Sequence, residues 1–143
     1  MSDDQRVERV RTVFDDWAAR GRAEGMEEAH GFAARRAFDR LELAAGDQYL
    51  DVGCGNGYTV RWADEVVGPD GRAVGVDVSE RMLERARALS PPSCTFHHVP
   101  FPEHPFEPGT FDAVFSMEVL YYLPDVEVGL ETIRSLLAAG GRF

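Results

Sequence analysis

The chain has 143 residues, of which 44% are hydrophobic, and this is enough for one domain with a modest core but not for two. Its formal net charge is −10 and all 15 basic residues are Arg, so a nucleic-acid backbone or an anionic membrane is disfavoured as a partner and a small-molecule substrate is favoured. The sequence has no apolar run long enough to cross a bilayer, and it does not open with a leader-like pattern of basic, apolar and small residues. The two Cys residues lack the spacing of metal-binding or redox motifs. These features predict a cytoplasmic protein with no metal site and no disulfide.

The acidic balance also suits a cytoplasm of high salt, because dissolved ions screen the repulsion between carboxylates. A GC-rich genome would account for the Arg bias equally well. Halophily is therefore a hypothesis, which thermal stability measured in low and multimolar KCl would test. Higher stability in low salt would contradict it.

Residues 1–45 are predicted to form a helical lead-in, or lid, to the core. Apolar residues recur at helical spacing over 5–20 and again over 34–41, which predicts two helices. The first helix has its apolar face at Val7, Val10, Phe14 and Trp17. The second has its apolar face at Ala34, Ala37, Phe38 and Leu41. Between them, Gly21 and Gly25 interrupt the pattern, and residues 26–31 predict a loop.

The core, residues 46–143, begins with a strand over Gln48–Val52 that runs into a glycine-rich turn and a helix over Tyr58–Val67. The glycines of the turn alternate with other residues, which lets the backbone wrap closely around a nucleotide-like ligand. The dinucleotide pattern G-x-G-x-x-G fails, because Tyr58 stands where its third glycine is needed. Asp51 precedes the turn, and a carboxylate there would attract a ligand that carries an ammonium and a sulfonium.

A second strand is predicted over Ala73–Val78, and Ser79 is expected to cap a helix over Glu80–Leu89 that buries Met82, Ala86 and Leu89. Strands that alternate with helices form a parallel sheet with right-handed crossovers, and ligands bind at the carboxyl ends of such strands. Asp77 lies at that end of the second strand. Its carboxylate could accept hydrogen bonds from both ribose hydroxyls, as NAD and S-adenosylmethionine each require.

The rest of the chain predicts two more strands, a proline-rich loop and one helix. The strands are expected over Cys94–His98 and Phe111–Met117. Asp125 is expected to cap the helix, whose apolar face would carry Val126, Leu130, Ile133 and Leu137. Gly140 and Gly141 would end this helix, and Arg142 would begin a fifth strand.

Four segments resemble, in order, motifs of the class I S-adenosylmethionine-dependent methyltransferases. They are YLDVGCGNGYTV, VGVDVS, FDAVFSMEVLYYLPD and LLAAGGRF, and together they span about the last two-thirds of the chain. The resemblance implies an α/β, Rossmann-like, doubly wound parallel sheet and a small-molecule methyl acceptor. The fold of that family continues beyond a fifth strand, so the sequence looks truncated and lacks the later strands. The fourth strand is then expected to be an open edge that pairs with another chain, giving a homo-oligomer.

The resemblance also implies residue roles for the cofactor S-adenosylmethionine. The methionine half would lie against the turn formed by Gly53, Cys54, Gly55 and Gly57, with Asp51 orienting the turn or the amino group. Asp77 would hold the ribose, with Val78 and Met82 beside the adenine. An acidic adenine-binding residue of the family is replaced by Pro100, which leaves the Phe101 N–H as the expected donor. Ser116 would border the sulfonium.

Methyl transfer requires an acceptor held in line with the methyl group and sulfur, and a base only where the acceptor loses a proton. Glu118 is the first candidate for that base or for binding the acceptor, followed by Tyr121 and His30. Two other interpretations remain open. One is a non-catalytic S-adenosylmethionine-binding module, or a fragment that a partner chain completes, and the other is an NAD-dependent enzyme, which Tyr58 and Asp51 oppose.

Overall fold

A computed structural model describes all 143 residues. Five parallel strands form one sheet in the order β3-β2-β1-β4-β5. The strands are β1 Gln48–Val52, β2 Arg72–Asp77, β3 Cys94–His98, β4 Phe111–Phe115 and β5 Leu137–Arg142. The helices are α1 Asp3–Ala19, α2 Arg22–Asp39, α3 Tyr58–Val67, α4 Glu80–Leu89 and α5 Val126–Leu136, and a short 3₁₀ turn spans Leu120–Tyr122. The predicted Rossmann-like sheet is therefore confirmed.

The sheet is covered on both faces, as its near-continuous apolar strands predict. Successive residues of β1 point to opposite faces, so Tyr49 joins the core under α2, α3 and α4 while Leu50 joins the core under α5. Both residues are fully buried. In register, Leu50 lies between Val74 of β2 and Val114 of β4, which places the carboxyl ends of the three strands along one edge of the sheet.

The lead-in is more regular than the sequence predicts. The loop expected over 26–31 is wrong, because α2 runs unbroken from Arg22 to Asp39. Gly25 and Gly31 lie inside this helix, where a side chain at either position would meet no neighbouring atom. The helix is held by Ala23, Ala34 and Phe38, which are buried on its inner face. Packing of that face outweighs the low helix propensity of two glycines.

The carboxyl-terminal segment also differs from the prediction. Gly140 and Gly141 do not end a helix, because α5 stops at Leu136 and residues 137–142 form β5. Phe111 of β4 pairs with Leu137 and Ala113 pairs with Arg142, with an irregular register between them. The free edge of β4 supplies the partners that this segment needs. The predicted open edge at β4, and the pairing with another chain through it, are therefore wrong, since β5 is the outer strand.

The apolar faces predicted for α4 and α5 and the end predicted for β4 also differ from the structure. In α5 the exposed fractions of Val126 and Leu130 are 41% and 42%, while Gly129, Ile133 and Leu136 face the sheet. Gly129 turns inward because it leaves room for the side chain of Leu123. In α4, Leu89 is 45% exposed, and Leu83 is buried beside Met82 and Ala86 in its place. Strand β4 ends at Phe115, two residues earlier than predicted.

None of the helices combines the length and apolar composition needed to cross a membrane.

Strand β1 carries a buried carboxyl group, that of Asp51, which is only 3% exposed. The Thr59 hydroxyl of α3 donates a hydrogen bond to Asp51 Oδ2, and the Tyr49 hydroxyl donates to Thr59 Oγ1 at 3.0 Å. Burial raises the pKa of Asp51 to about 7, although the bond from Thr59 acts in the opposite direction. The Asp51 carboxyl thus ties β1 to α3 in the core, with a proton still bound below neutral pH.

The pKa of Asp51 predicts how stability depends on pH. Because the pKa is higher in the folded state than in the unfolded chain, the group contributes stability at pH 5 that is lost as the pH rises through about 7. We expect this contribution to fall by about 2–3 kcal/mol between pH 5 and pH 8. The variant Asp51→Asn keeps an oxygen that accepts from Thr59, so its free energy of unfolding should vary less with pH.

Urea denaturation at the two pH values measures this difference. The matched control is Asp70→Asn, since Asp70 is exposed in the turn before β2. Equal pH dependence in wild type and Asp51→Asn would contradict the prediction.

Two glycines of the turn differ in what surrounds them. Both have left-handed backbones, with φ of +53° at Gly55 and +82° at Gly57. A Cβ on Gly55 would meet nothing within 4 Å, whereas a Cβ on Gly57 would lie 2.9 Å from the ring of Phe96 and 3.2 Å from Ala86. Gly57 is therefore where the turn packs against β3 and α4.

We expect Gly57→Ala to lower the free energy of unfolding by about 2–4 kcal/mol, because strain and steric overlap add. Gly55→Ala should cost only about 1–2 kcal/mol, since strain acts alone. Urea denaturation of the two variants makes the comparison. Equal losses would show that Phe96 moves aside without cost.

Candidate functional site

A cavity opens at the carboxyl ends of β1, β2 and β4, with an empty volume of about 980 Å³ that includes its mouth. Its lining is mainly apolar, as in most small-molecule sites. The sheet side of the cavity includes Val52, Gly53, Cys54, Gly55, Asp77 and Val78. The lead-in side includes Val7, Val10, Phe14, Met26 and His30. The lead-in therefore covers the ligand edge of the sheet.

Asp77 is the carboxylate at the centre of the cavity's sheet side. Its Oδ2 accepts a hydrogen bond from the Gly55 N–H and its Oδ1 accepts one from the Ser79 N–H, each at 2.9 Å. Burial raises the pKa of Asp77, and the two backbone donors oppose that rise. Each carboxylate oxygen can accept a further hydrogen bond. The predicted position of Asp77, facing the glycine turn and the cavity, is thus observed.

Not every predicted residue reaches the cavity. Asp51, Gly57 and Ser116 do not line it. The Asp51 carboxyl points to Thr59 in the core, and Gly57 packs against Phe96. The Ser116 hydroxyl donates to the Val52 carbonyl at 3.0 Å, which joins the ends of β4 and β1. These three residues support the walls of the cavity through contacts in the core and between strands, and they do not face the cavity.

Cys54 does line the cavity, but its thiol is not suited to be a nucleophile. The residue is 3% exposed, and a Cβ on Gly75 would lie 2.6 Å from its Sγ. Burial raises the pKa of the Cys54 thiol well above its usual range. A thiol that stays protonated is a poor nucleophile, so Cys54 fills space beside β2.

Asn56 is a site residue that the sequence analysis missed. It is 2% exposed, lines the cavity, and donates from Nδ2 to Glu27 Oε2 of α2 at 2.9 Å. Its Oδ1 accepts from the Tyr58 N–H at 3.2 Å. An Asn side chain two residues before a helix often accepts a hydrogen bond from a free N–H at the helix start. The position of Asn56 before α3 is therefore a sequence signal that could have identified it. Asn56 therefore joins the glycine turn to the lead-in.

The loop after β3 forms the far wall of the cavity. Val99, Pro100 and Phe101 line it together with Val78 and Met82, all of which are apolar. The Phe101 N–H donates to the Val99 carbonyl at 3.2 Å. The Phe101 N–H, which was predicted to bind adenine, is therefore occupied by a hydrogen bond within the loop. This wall of the cavity offers a ligand apolar contact.

Glu118 and His30 both line the cavity, His30 from α2 and Glu118 from the segment after β4. Glu118 has a left-handed backbone, with φ of +57°, which is rare for a residue with a side chain. Tyr121 does not line the cavity, being 57% exposed, but its hydroxyl donates to Glu118 Oε2 at 2.7 Å. This bond raises the pKa of Tyr121. Tyr121 can therefore orient Glu118, and it is not placed to touch a ligand.

Helix α1 closes the remaining side. The ring of Phe14 meets that of Tyr122 edge to face, with 5.3 Å between their centroids, and both residues line the cavity. Tyr122 belongs to the 3₁₀ turn that follows Glu118. This contact places apolar rings on one side of the cavity near Glu118, whose own side chain is exposed.

Comparison with known proteins identifies the family. A model described as a methyltransferase domain matches residues 50–143. The chain is 32% identical over 124 residues to the 27-O-demethylrifamycin SV methyltransferase of Amycolatopsis mediterranei, covering 82% of this chain and 44% of that protein. It is 33% identical over 116 residues to the demethylmenaquinone methyltransferase of Staphylococcus aureus, covering 80% of this chain and 48% of that protein. The chain spans about half the length of these curated relatives.

A solved structure is similar over most of the chain. It is the complex between the Haloferax volcanii Trm112 methyltransferase activator and a methyltransferase, matched with a TM-score of 0.83 and 37% identity. The match covers 90% of this chain and 57% of that one. With the sheet order, the glycine turn and the family match over residues 50–143, this shows that the chain belongs to the S-adenosylmethionine-dependent methyltransferases, whose cofactor is S-adenosylmethionine.

Proposed function

We propose that this domain binds S-adenosylmethionine in the cavity and that its methyl group passes to an apolar small-molecule acceptor. One observation carries the proposal. The Asp77 carboxylate, fixed by the N–H groups of Gly55 and Ser79, faces a cavity that continues beneath α1 to Glu118 and His30. The group proposed to bind the ribose and a candidate base thus line the same cavity.

The residues on the sheet side fit the cofactor. Asp77 uses one acceptor position on each oxygen, which leaves the others for ribose hydroxyls. Gly53 and Gly55 present bare backbone to the cavity, so the methionine portion can approach closely. Val78, Met82 and Phe101 supply apolar contact for an adenine ring. Asp77 suits the ribose of S-adenosylmethionine and of NAD alike, and Tyr58, in place of the third glycine of the dinucleotide pattern, opposes NAD.

The residues on the lead-in side suit an acceptor with an apolar body. This part of the cavity is lined by Val7, Val10, Phe14 and Tyr122. Apart from tyrosine hydroxyls, its titratable groups are Glu118 and His30. An acceptor that must lose a proton, such as a phenol, could place it next to one of these two. Two relatives are named for small-molecule acceptors, demethylrifamycin SV and demethylmenaquinone, which supports this class.

When bound, S-adenosylmethionine supplies a methyl group on a sulfonium, whose positive charge disperses as the methyl leaves. The chain has to position the acceptor in line and keep water out. Phe14 and Tyr122 would exclude water where their rings meet. Glu118 would accept the acceptor's proton on a carboxylate oxygen, while Tyr121 donates to Oε2 and fixes the orientation of the group.

Calorimetry and a transfer assay together test the proposal. S-adenosylmethionine should bind the chain, and NAD should not. Tritium-labelled cofactor should then transfer its methyl group to at least one member of a panel of phenols and naphthoquinols that includes the reduced, quinol form of demethylmenaquinone. Cofactor binding without transfer would favour a non-catalytic binding module, and no binding would overturn the proposal.

We also propose that the domain assembles with an activator protein. The support is the 37% identity to a methyltransferase solved with the Trm112 activator of Haloferax volcanii, over 90% of this chain. Co-expression with that activator should yield a complex that co-elutes in gel filtration and has higher transfer activity. An unrelated methyltransferase expressed with the same activator is the control. Separate elution and unchanged activity would contradict this assembly.

The variant Glu118→Gln tests the base. The substitution keeps the side-chain shape and the strained backbone but removes the proton acceptor. We expect kcat to fall about 100-fold, as for loss of a general base, while the Kd for S-adenosylmethionine changes less than about threefold. Transfer assays and calorimetry measure the two quantities.

The control for this variant is Glu131→Gln, on an exposed position of α5. Tyr121→Phe should give a smaller loss of kcat, about tenfold, because it frees the carboxylate without removing it. Unchanged turnover in Glu118→Gln would exclude Glu118 as the base.

A further inference from the structure

Helix α1 is held over the cavity by few apolar contacts. Of its 17 residues, only Ala18 is buried. The apolar cluster around it contains just two other buried residues, Ala23 and Met82. Phe14 and Trp17 are partly buried and pack against this cluster, and Phe14 also lines the cavity with Val7 and Val10. With so little buried surface, each polar contact of α1 has a large influence on where the helix lies.

One such contact joins α1 to the start of α4. The Ser79 hydroxyl donates a hydrogen bond to Asp15 Oδ1, and the Arg81 N–H lies 3.4 Å from the same oxygen. Ser79 is fully buried, and its Oγ also accepts from the Met82 N–H at 3.1 Å. A hydroxyl has one proton to donate, and here that proton goes to Asp15. Bonds to charged acceptors are the stronger class.

The same serine touches the cofactor side of the site. Its backbone N–H donates to Asp77 Oδ1 at 2.9 Å, while Asp77 Oδ2 accepts from Gly55. Ser79 therefore connects the lead-in helix, through its hydroxyl, with the ribose-binding carboxylate, through its backbone. No other residue of α1 forms a side-chain hydrogen bond to the sheet or to α4, since Glu8, Arg11, Thr12 and Asp16 bond within the lead-in.

We propose that Asp15 is a positioning residue, which holds α1 closed over bound S-adenosylmethionine through its hydrogen bond with Ser79. This rests on the proposed function, because it takes the cavity to be the cofactor site. The cofactor leaves when α1 moves away, so the Asp15–Ser79 bond sets how often the cavity opens. Loss of the bond increases the open fraction and accelerates release in proportion.

The chain offers a graded series of variants with a matched control. Asp15→Ala removes the acceptor, and Asp15→Asn keeps a neutral oxygen that still accepts from Ser79. Asp16→Ala is the control, because it makes the same change of charge and helix propensity at the next position. Asp16 pairs with Arg20 of the lead-in at 2.9 Å, and both side chains are about half exposed or more.

Two measurements test the proposal. The first is hydrogen exchange of the α1 amides in the free protein, which needs no cofactor. The second is the dissociation rate of tritium-labelled S-adenosylmethionine after dilution into unlabelled cofactor. We expect release to be about tenfold faster in Asp15→Ala, about threefold faster in Asp15→Asn, and within about twofold of wild type in Asp16→Ala. Exchange in α1 should increase in the same order.

Each outcome decides a distinct point. Equal exchange and equal release in Asp15→Ala and Asp16→Ala would overturn the proposal, because Asp15 would then contribute only charge. Faster exchange with unchanged release would show that α1 does not control the cofactor, which also overturns it. If wild type binds no S-adenosylmethionine, the proposed function fails, while exchange still decides whether Asp15 holds α1. Should Asp15→Ala not fold, Asp15→Asn supports the same comparison.

Discussion

The site depends on one set of hydrogen bonds, in which the Asp77 carboxylate accepts from the N–H groups of Gly55 and Ser79. These bonds join the glycine turn after β1, the end of β2 and the first turn of α4. Burying a carboxylate is costly unless it is hydrogen-bonded, and here two backbone donors offset that cost. The donors can point at Asp77 because Gly55 adopts a left-handed backbone and Ser79 caps α4. The carboxylate proposed to bind the ribose is thus held in position by the fold itself.

Two elements near this carboxylate could be predicted from the sequence with accurate ends, whereas β2, which carries it, begins and ends one residue earlier than predicted. Helix α4 and strand β3 occupy the predicted residues Glu80–Leu89 and Cys94–His98. Their boundaries are local: Ser79 satisfies the first free N–H groups of α4, and Pro91 prevents its continuation. The same holds for the turn from β1 into α3, where the glycines permit a backbone that other residues resist. Signals carried within a few residues were sufficient there.

Features that depend on contacts distant in sequence could not be predicted. Residues 137–142 form a strand because β4 offers an unpaired edge, and nothing in LAAGGR itself favours a strand. Helix α2 continues through two glycines because its inner face packs against the core. Asp51 and Asp77 resemble each other in sequence context, as acidic residues near strand ends. Only the folded structure shows that Asp51 bonds to Thr59 in the core while Asp77 faces the cavity.

The two halves of the cavity differ in how far sequence can reveal them. The cofactor half relies on backbone groups, and close approach of backbone requires glycine at specific positions, so its chemistry is visible as a motif. The half proposed to take the acceptor is lined by apolar side chains of α1 and α2, such as Val10, Phe14 and Met26. These residues look the same whether they pack in a core or face a ligand, because both require only apolar surface of suitable shape. The sequence therefore indicates the methyl donor, whereas the proposed acceptor side becomes visible only when α1 and α2 are seen to line the same cavity as Glu118.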